Sequence, residues 1–299
     1  MRVLVTGASG FIGQHVMSTL WDGGHDVVGL DVAGPPAWAQ GGGGYSEWIS
    51  ADITKPLSKV KDLDAVIHLA AIANPRECDA DPARAFTVNV SGIYQVLRMA
   101  LESGAKKVVF SSSAHVYGIS PKYLPTDESH PLWLQNPYTA TKILGEQLCH
   151  LFYENHGLSY TALRLYNAYG PGQAAGYFIP DMLEKARTGN VEIKGGKTTK
   201  DFVHVTDVAQ AFARAIETPF VGPINIGTGV QTGIAGIAAI IAHELDAGFA
   251  YVDAAPQDRT RMQADIQRAQ QILGWKPQVT MKSGLYELID SHKKSAILS

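Results

Sequence analysis

Tyr138 and Lys142 form a Tyr-x-x-x-Lys pair directly after Asn136-Pro137. Asn136 is a natural N-cap and Pro137 a natural first helical residue. The spacing therefore predicts both side chains on one helix face, a turn apart. Tyrosine ordinarily titrates near pH 10, so a base at neutrality needs a drop of about 3 units, roughly 4 kcal/mol. An ammonium about 4 Å away supplies on the order of 4 kcal/mol at an effective dielectric near 20. Upstream, Ser111-Ser112-Ser113 ends an apolar run, and the hydroxyl of Ser113 can hold a substrate oxygen. Such a group suits removal of a hydroxyl proton as hydride leaves the same carbon.

Thr6–Gly13 reads TGASGFIG, with an apolar run before it and an apolar helix after it. Gly7, Gly10 and Gly13 permit a tight turn, close approach of a pyrophosphate and close helix–strand packing. The helix N-terminus offers free N–H groups and positive partial charge to phosphates. Asp31 ends the next run, 18 residues past Gly13, at the spacing of a carboxylate that holds ribose hydroxyls. Its charge repels a 2′-phosphate, and Val32-Ala33-Gly34 brings no arginine or lysine to attract one. The expected cofactor is NAD rather than NADP.

These groups need elements that bring them to one edge. Arg2–Thr6, Asp26–Asp31, Ala65–Leu69, Lys107–Ser111 and Tyr160–Arg164 are short runs rich in Val, Ile or Leu without clean polar alternation. Such runs read as strands buried on both faces of a parallel sheet. Helical segments lie between them, notably Gly10–Trp21, Pro82–Ser103 and Pro137–Asn155. The expected fold is α/β, a doubly wound parallel sheet with ligands at the carboxyl ends of its strands. The rhythm changes after about Gly170, which suggests residues 1–170 as the sheet domain and 171–299 as a smaller lobe. Within the lobe, about 201–228 is expected to pack back onto the sheet. Gly41–Gly44 reads as a loop, and Ile234–Ala242 as a buried helix.

The chain has 299 residues, 45% apolar and 18% charged, with 25 basic against 28 acidic residues. That mild acidity argues against nucleic-acid binding, which asks for a basic surface. No apolar stretch approaches the ~20 residues of a membrane helix, and no cleavable leader is apparent after Met1. Cys78 and Cys149 can build neither a disulfide framework nor a zinc cluster, so no metal site is expected. His68 reads as structural. A reduced, cytoplasmic location is the resulting expectation.

Further motifs carry a family resemblance: HLAA at His68–Ala71, Asn89 in NVSG, SSSAHVYG at Ser111–Gly118, YTATK at Tyr138–Lys142 and YNAYGPG at Tyr166–Gly172. It continues through KDFVHVTDVA at Lys200–Ala209, INIGTG at Ile224–Gly229 and ADIQRAQQILGWKP at Ala264–Pro277. The whole chain resembles the extended short-chain dehydrogenase/reductases, in particular the nucleotide-sugar epimerase/dehydratase group. The resemblance implies a Rossmann domain for NAD and a C-terminal lobe for a nucleoside diphosphate sugar. By position, Gly7, Gly10, Phe11, Ile12 and Gly13 would touch the pyrophosphate and Asp31 the ribose. Asp52 and Ile53 would flank the adenine, and Leu69, Ala70, Ala71, Asn89 and Ser111 would line the cofactor channel. Ser113, Tyr138 and Lys142 take the catalytic places, with Tyr138 and Lys142 also touching the cofactor. Asn167 would bind the diphosphate. A homodimer through the two long helices, Pro82–Ser103 and Pro137–Asn155, is implied.

Departures from the family pattern narrow the reaction. The 4,6-dehydratases carry Asp-Glu where this chain has Ala114-His115, and decarboxylases usually carry Glu in place of His115. His115 could serve as an extra acid/base or only shape the pocket. Lys200 stands where the relatives place an arginine, keeping the charge but losing its bidentate fork. Ala255 replaces another arginine, while Arg261 matches a second arginine position of many relatives. The expected reaction is C4 epimerisation of the UDP-glucose/UDP-galactose type. A reductase or decarboxylase of the same family is the alternative, and a non-catalytic NAD-sensing regulator a more distant one.

Overall fold

The computed structural model describes residues 1–39, 43–57, 60–195, 197–252 and 260–298. Gly41 and Gly42 of the expected loop, and Ala255, lie outside the described residues. In chain order the strands are β1 (Arg2–Thr6), β2 (Asp26–Asp31), β3 (Glu47–Ser50), β4 (Ala65–His68), β5 (Lys107–Ser113), β6 (Ser159–Leu165) and β7 (Asn167–Tyr169). They continue as β8 (Asn190–Lys194), β9 (Thr199–Lys200), β10 (Phe202–His204), β11 (Gly222–Ile226), β12 (Thr232–Gly233) and β13 (Gly248–Val252). The helices are α1 (Phe11–Asp22), α2 (Pro75–Ala80), α3 (Pro82–Phe86), α4 (Gly92–Glu102) and α5 (Pro137–His156). Then follow α6 (Phe178–Arg187), α7 (Val205–Ala215), α8 (Ile234–Glu244), α9 (Gln267–Leu273) and α10 (Met281–Leu298).

Seven strands form one sheet in the order β11-β6-β5-β4-β1-β2-β3, and every pairing in it is parallel. Strands of such a sheet are apolar on both faces because helices cover both. On one face Val16, Met17 and Leu20 of α1 and Val208, Phe212 and Ala215 of α7 pack against Val3, Val5 and Ile67. On the other, Ile93, Val96 and Leu97 of α4 and Cys149 and Phe152 of α5 pack against Leu4, Val66 and Val108. This is the doubly wound Rossmann arrangement. The strand order reverses between β1 and β4, so the loops after these two strands part and leave a crevice at their carboxyl ends.

Residues 201–228 return to this sheet, α7 covering one face and β11 extending the edge beyond β6. A separate apolar cluster joins α6, β8, α8 and α10 through Met182, Leu183, Val191, Ile193, Ile237, Ile241, Leu285 and Ile289. It is a third core, apart from the two on the faces of the sheet, and the Ile234–Ala242 segment supplies one helix of it, α8.

Two expected elements differ. The helix expected over Pro82–Ser103 is broken into α3, a π-helical turn at Thr87–Ser91, and α4. At that turn Asn89 leaves the helical surface to bond the loop after β4. Its Oδ1 accepts from the Ile72 N–H at 2.8 Å, and its Nδ2 donates to the Ile72 carbonyl at 3.0 Å. A π-turn inserts the residue that such a contact needs. β5 runs two residues past the apolar stretch, because Ser111–Ser113 stay in register with Leu163–Leu165 of β6.

Candidate active site

Turn geometry builds the phosphate end. Gly7 has φ +71°, and a Cβ there would sit 2.6 Å from the Ala70 backbone nitrogen. The loops after β1 and β4 therefore abut closely enough that only glycine fits. A Cβ on Gly13 would meet the Gly7 carbonyl at 2.1 Å, which lets α1 start directly under the turn. Gly10 caps α1 without a side-chain bond, and the first turn holds no acidic residue. Free amides and an unopposed dipole remain, as a pyrophosphate requires. These features fit the dinucleotide, with Gly7, Gly10, Phe11, Ile12 and Gly13 as the residues to hold it.

Asp31 already has structural work. Its Oδ2 accepts from Ser9 N and its Oδ1 from Ala33 N, both at 3.0 Å. Each carboxylate oxygen keeps a lone pair, so ribose hydroxyls can still be bound. Asp52 is held below the usual carboxylate range, chiefly by the Thr54 N–H it accepts at 2.9 Å. Ile53 is buried against Gly92.

These residues line one cleft of about 1120 Å³ with Leu69, Ala70, Ala71, Ser111, Ser113, His115, Tyr138, Lys142, Asn167 and Lys200. Asn89 and Arg261 do not line it. Asn89 sits behind the wall, buried, holding Ile72 and donating to Thr141 Oγ1 at 3.1 Å. Arg261 pairs its backbone with Thr199 next to β9 and is exposed. Sequence position put it near Lys200, but not on the wall.

The chemical end comes from β5 and α5. A capping box seats α5: Asn136 accepts from Thr139 N at 2.9 Å, and Thr139 Oγ1 accepts from Asn136 N at 3.1 Å. Tyr138 and Lys142 follow on the buried face, 8% and 4% exposed. Lys142 Nζ donates to the Ser111 carbonyl at 2.8 Å and lies 5.8 Å from the centroid of the Tyr138 ring. Burial lowers Lys142 to about 8.

Tyr138 departs from the simplest expectation. Burial pushes its phenol up to about 12, and a hydrogen bond with Ser113 draws it partly back. In the chain alone, loss of water costs the phenolate more than its neighbours return. His115 meets the Tyr138 ring edge-on with centroids 6.1 Å apart. Burial, aided by the Lys200 charge, lowers His115 to about 4. At neutral pH it is an uncharged imidazole, suited to orienting a hydroxyl.

Burial also lowers Lys200. Asn167 donates from Nδ2 to the Asp201 carbonyl at 3.0 Å. Sequence reasoning did not single out Asn74, Arg76, Arg84, Gln173, Tyr177 or Lys185, which also line the cleft. Asn74, Arg76, Gln173 and Tyr177 sit on loops and helix starts, Arg84 and Lys185 in the last turns of α3 and α6, and none shares a period with the motifs. Among the described residues no cluster could hold a metal ion, and no helix is long and apolar enough to cross a membrane.

Residues 3–227 match the model of the NAD dependent epimerase/dehydratase family. This chain belongs to that family. It is 33% identical to a UDP-glucose 4-epimerase of Mycolicibacterium smegmatis over 97% of this chain and 98% of that one. The UDP-glucose 4-epimerase of Thermotoga maritima, solved with UDP-glucose, superposes with a TM-score of 0.91 at 29% identity, covering 99% of this chain and all of the other. A UDP-glucuronic acid decarboxylase of Arabidopsis thaliana is 28% identical over 95% of this chain and 87% of the relative. NAD dependence comes with the family, and the glycine turn, the bare α1 N-terminus and Asp31 suit it.

Proposed function

We propose that this protein interconverts nucleoside diphosphate sugars epimeric at C4, with UDP-glucose and UDP-galactose as the substrate pair. The observation that carries this reading is Ser113, Tyr138 and Lys142 together on the wall of the cleft that begins at the glycine turn. NAD, when bound, supplies the acceptor for the C4 hydride, its return to the other face of the sugar, and a positive ring that favours phenolate. Tyr138 Oη takes the proton of the C4 hydroxyl and returns it after the 4-keto sugar has turned over. Ser113 Oγ holds that oxygen and shares the proton. Lys142 keeps a cation beside Tyr138 and binds the nicotinamide ribose. Lys200 and Asn167 face the diphosphate, and neutral His115 orients a sugar hydroxyl. Burial of the group keeps water from the keto sugar.

The test is incubation with a panel of nucleotide sugars and NAD in deuterated water, read by NMR. A new 4-epimer without deuterium in the sugar is expected; deuterium at C3 or C5 would overturn the reading in favour of enolisation. Tyr138→Phe should abolish turnover and spare NAD binding, and retained activity would sink the assignment. The decarboxylase relative supports a second reading, whose sign would be carbon dioxide release from a nucleotide uronic acid.

We also infer a homodimer through α4 and α5. Tyr94 on α4 and Leu151 and Tyr153 on α5 are 44%, 50% and 37% exposed, large apolar groups on adjoining helices. Leu151→Asp should turn a dimer into a monomer in sedimentation. A monomeric parent would refute the pairing. Two buried free thiols, Cys78 and Cys149, fit a reducing compartment, which we take to be the cytoplasm.

A further inference from the structure

Behind Tyr138 and Lys142 lies a buried ionic network that the reaction scheme does not use. Glu146 follows Lys142 by one turn of α5 and is 5% exposed. Arg164 of β6 grips it twice, Nε to Oε1 at 2.9 Å and Nη2 to Oε2 at 2.6 Å. Ser112 Oγ donates to the same Oε1 at 2.5 Å. Arg164 Nη1 continues to Tyr117 Oη at 2.9 Å, and Tyr117 Oη donates to Asn225 Oδ1 of β11 at 2.7 Å.

The network ties the elements that carry the chemistry. Ser112 lies between Ser111, whose carbonyl takes the Lys142 ammonium, and Ser113, whose hydroxyl draws the Tyr138 phenol partly back down. Tyr117 belongs to the short turn that also carries His115. A buried ion pair adds little stability over a well-packed apolar replacement. Here it ties β5 to α5 at Ser112, the residue before Ser113, and at Glu146, one turn after Lys142. We propose that Glu146, bracketed by Arg164 and Ser112, is a positioning residue for the Ser113–Tyr138–Lys142 group, which rests on the function proposed above.

Its negative charge also favours the ammonium of Lys142. The other groups that face Lys142 are Tyr138 of its own helix, Cys78 of α2, His68 of β4 and the Phe110 ring of β5. Around Glu146 stand Arg164 and Tyr160 of β6, Tyr117, and Cys149 of α5. Neutralising Glu146 therefore makes Lys142 give up its proton at lower pH, and the Tyr138 phenolate loses its cation.

Glu146→Gln keeps the shape and removes the charge; Ser112→Ala leaves the ion pair and removes only the bridge to β5. Both should lower kcat with KM for the nucleotide sugar little changed, Glu146→Gln by roughly 10- to 100-fold, the scale of a small misplacement of reacting groups. In Glu146→Gln the alkaline limb of the kcat profile should fall by about one pH unit, and in Ser112→Ala it should stay. NAD affinity measured by titration calorimetry from about pH 7 to 9 reads the Lys142 charge without turnover, since Lys142 holds the nicotinamide ribose in the proposed scheme and is lowered to about 8. The pH at which that affinity falls away should drop by about one unit in Glu146→Gln.

If Glu146→Gln does not fold, the kcat-against-KM split of Ser112→Ala carries the test. Unchanged kcat and an unchanged pH profile of NAD affinity, or a lower melting temperature alone, would overturn the proposal. A parent that epimerises nothing while the pH profile of NAD affinity still shifts in Glu146→Gln would leave the positioning role standing and remove the proposed reaction.

Discussion

Tyr138 shows how far a residue's chemistry is set by what surrounds it. The Tyr-x-x-x-Lys spacing supplies a cation a turn away, yet burial pushes the phenol up to about 12. The same burial lowers His68 to about 3, with the Lys142 charge as a second cause. His68 is neutral in the folded chain, its Nδ1 2.7 Å from Thr6 Oγ1. An unfolded histidine takes up its proton near pH 6.5, so between about 6.5 and about 3 the unfolded chain binds more protons. Stability is therefore complete above that window and is lost as pH falls through it. His115, lowered to about 4, acts in the same direction. His68→Gln should flatten the acid slope of the urea midpoint while lowering stability at neutrality. An unaltered slope would remove His68 from this account.

At the scale of elements, local rules were legible where a motif carries its own stereochemistry. Asn136-Pro137 opens α5 with the expected cap, Gly7 and Gly10 form the turn between β1 and α1, and Gly13 in the first turn of α1 packs against it. Gly13→Ala would drive a methyl to 2.1 Å from the Gly7 carbonyl, so turn and helix must separate. A stability loss of about 1–3 kcal/mol is expected, with weaker NAD binding by titration calorimetry. Gly34→Ala, with nothing within 4 Å of its Cβ, should change neither, and equal effects would contradict the packing argument. The helix expected over Pro82–Ser103 breaks at Thr87-Val88-Asn89-Val90-Ser91, a run of weak helix formers between stronger ones. The π-turn at Thr87–Ser91 answers to Ile72, 17 residues before Asn89, a contact that no helical periodicity encodes.

Over the whole molecule, residues themselves determined the class of fold, the glycine turn and the tyrosine–lysine pair. Those signals are local: apolar runs of strand length, a cap, a spacing of one helical turn. Tertiary structure decided which distant pieces meet. It added β11 to the sheet edge and set Asn89 behind the cleft and Arg261 beside it. It joined Glu146 to Arg164 and Ser112 across three elements. It also fixed the protonation of the buried groups. Charge, burial and hydrogen bonding act through space, and the sheet brings together residues that the chain keeps far apart.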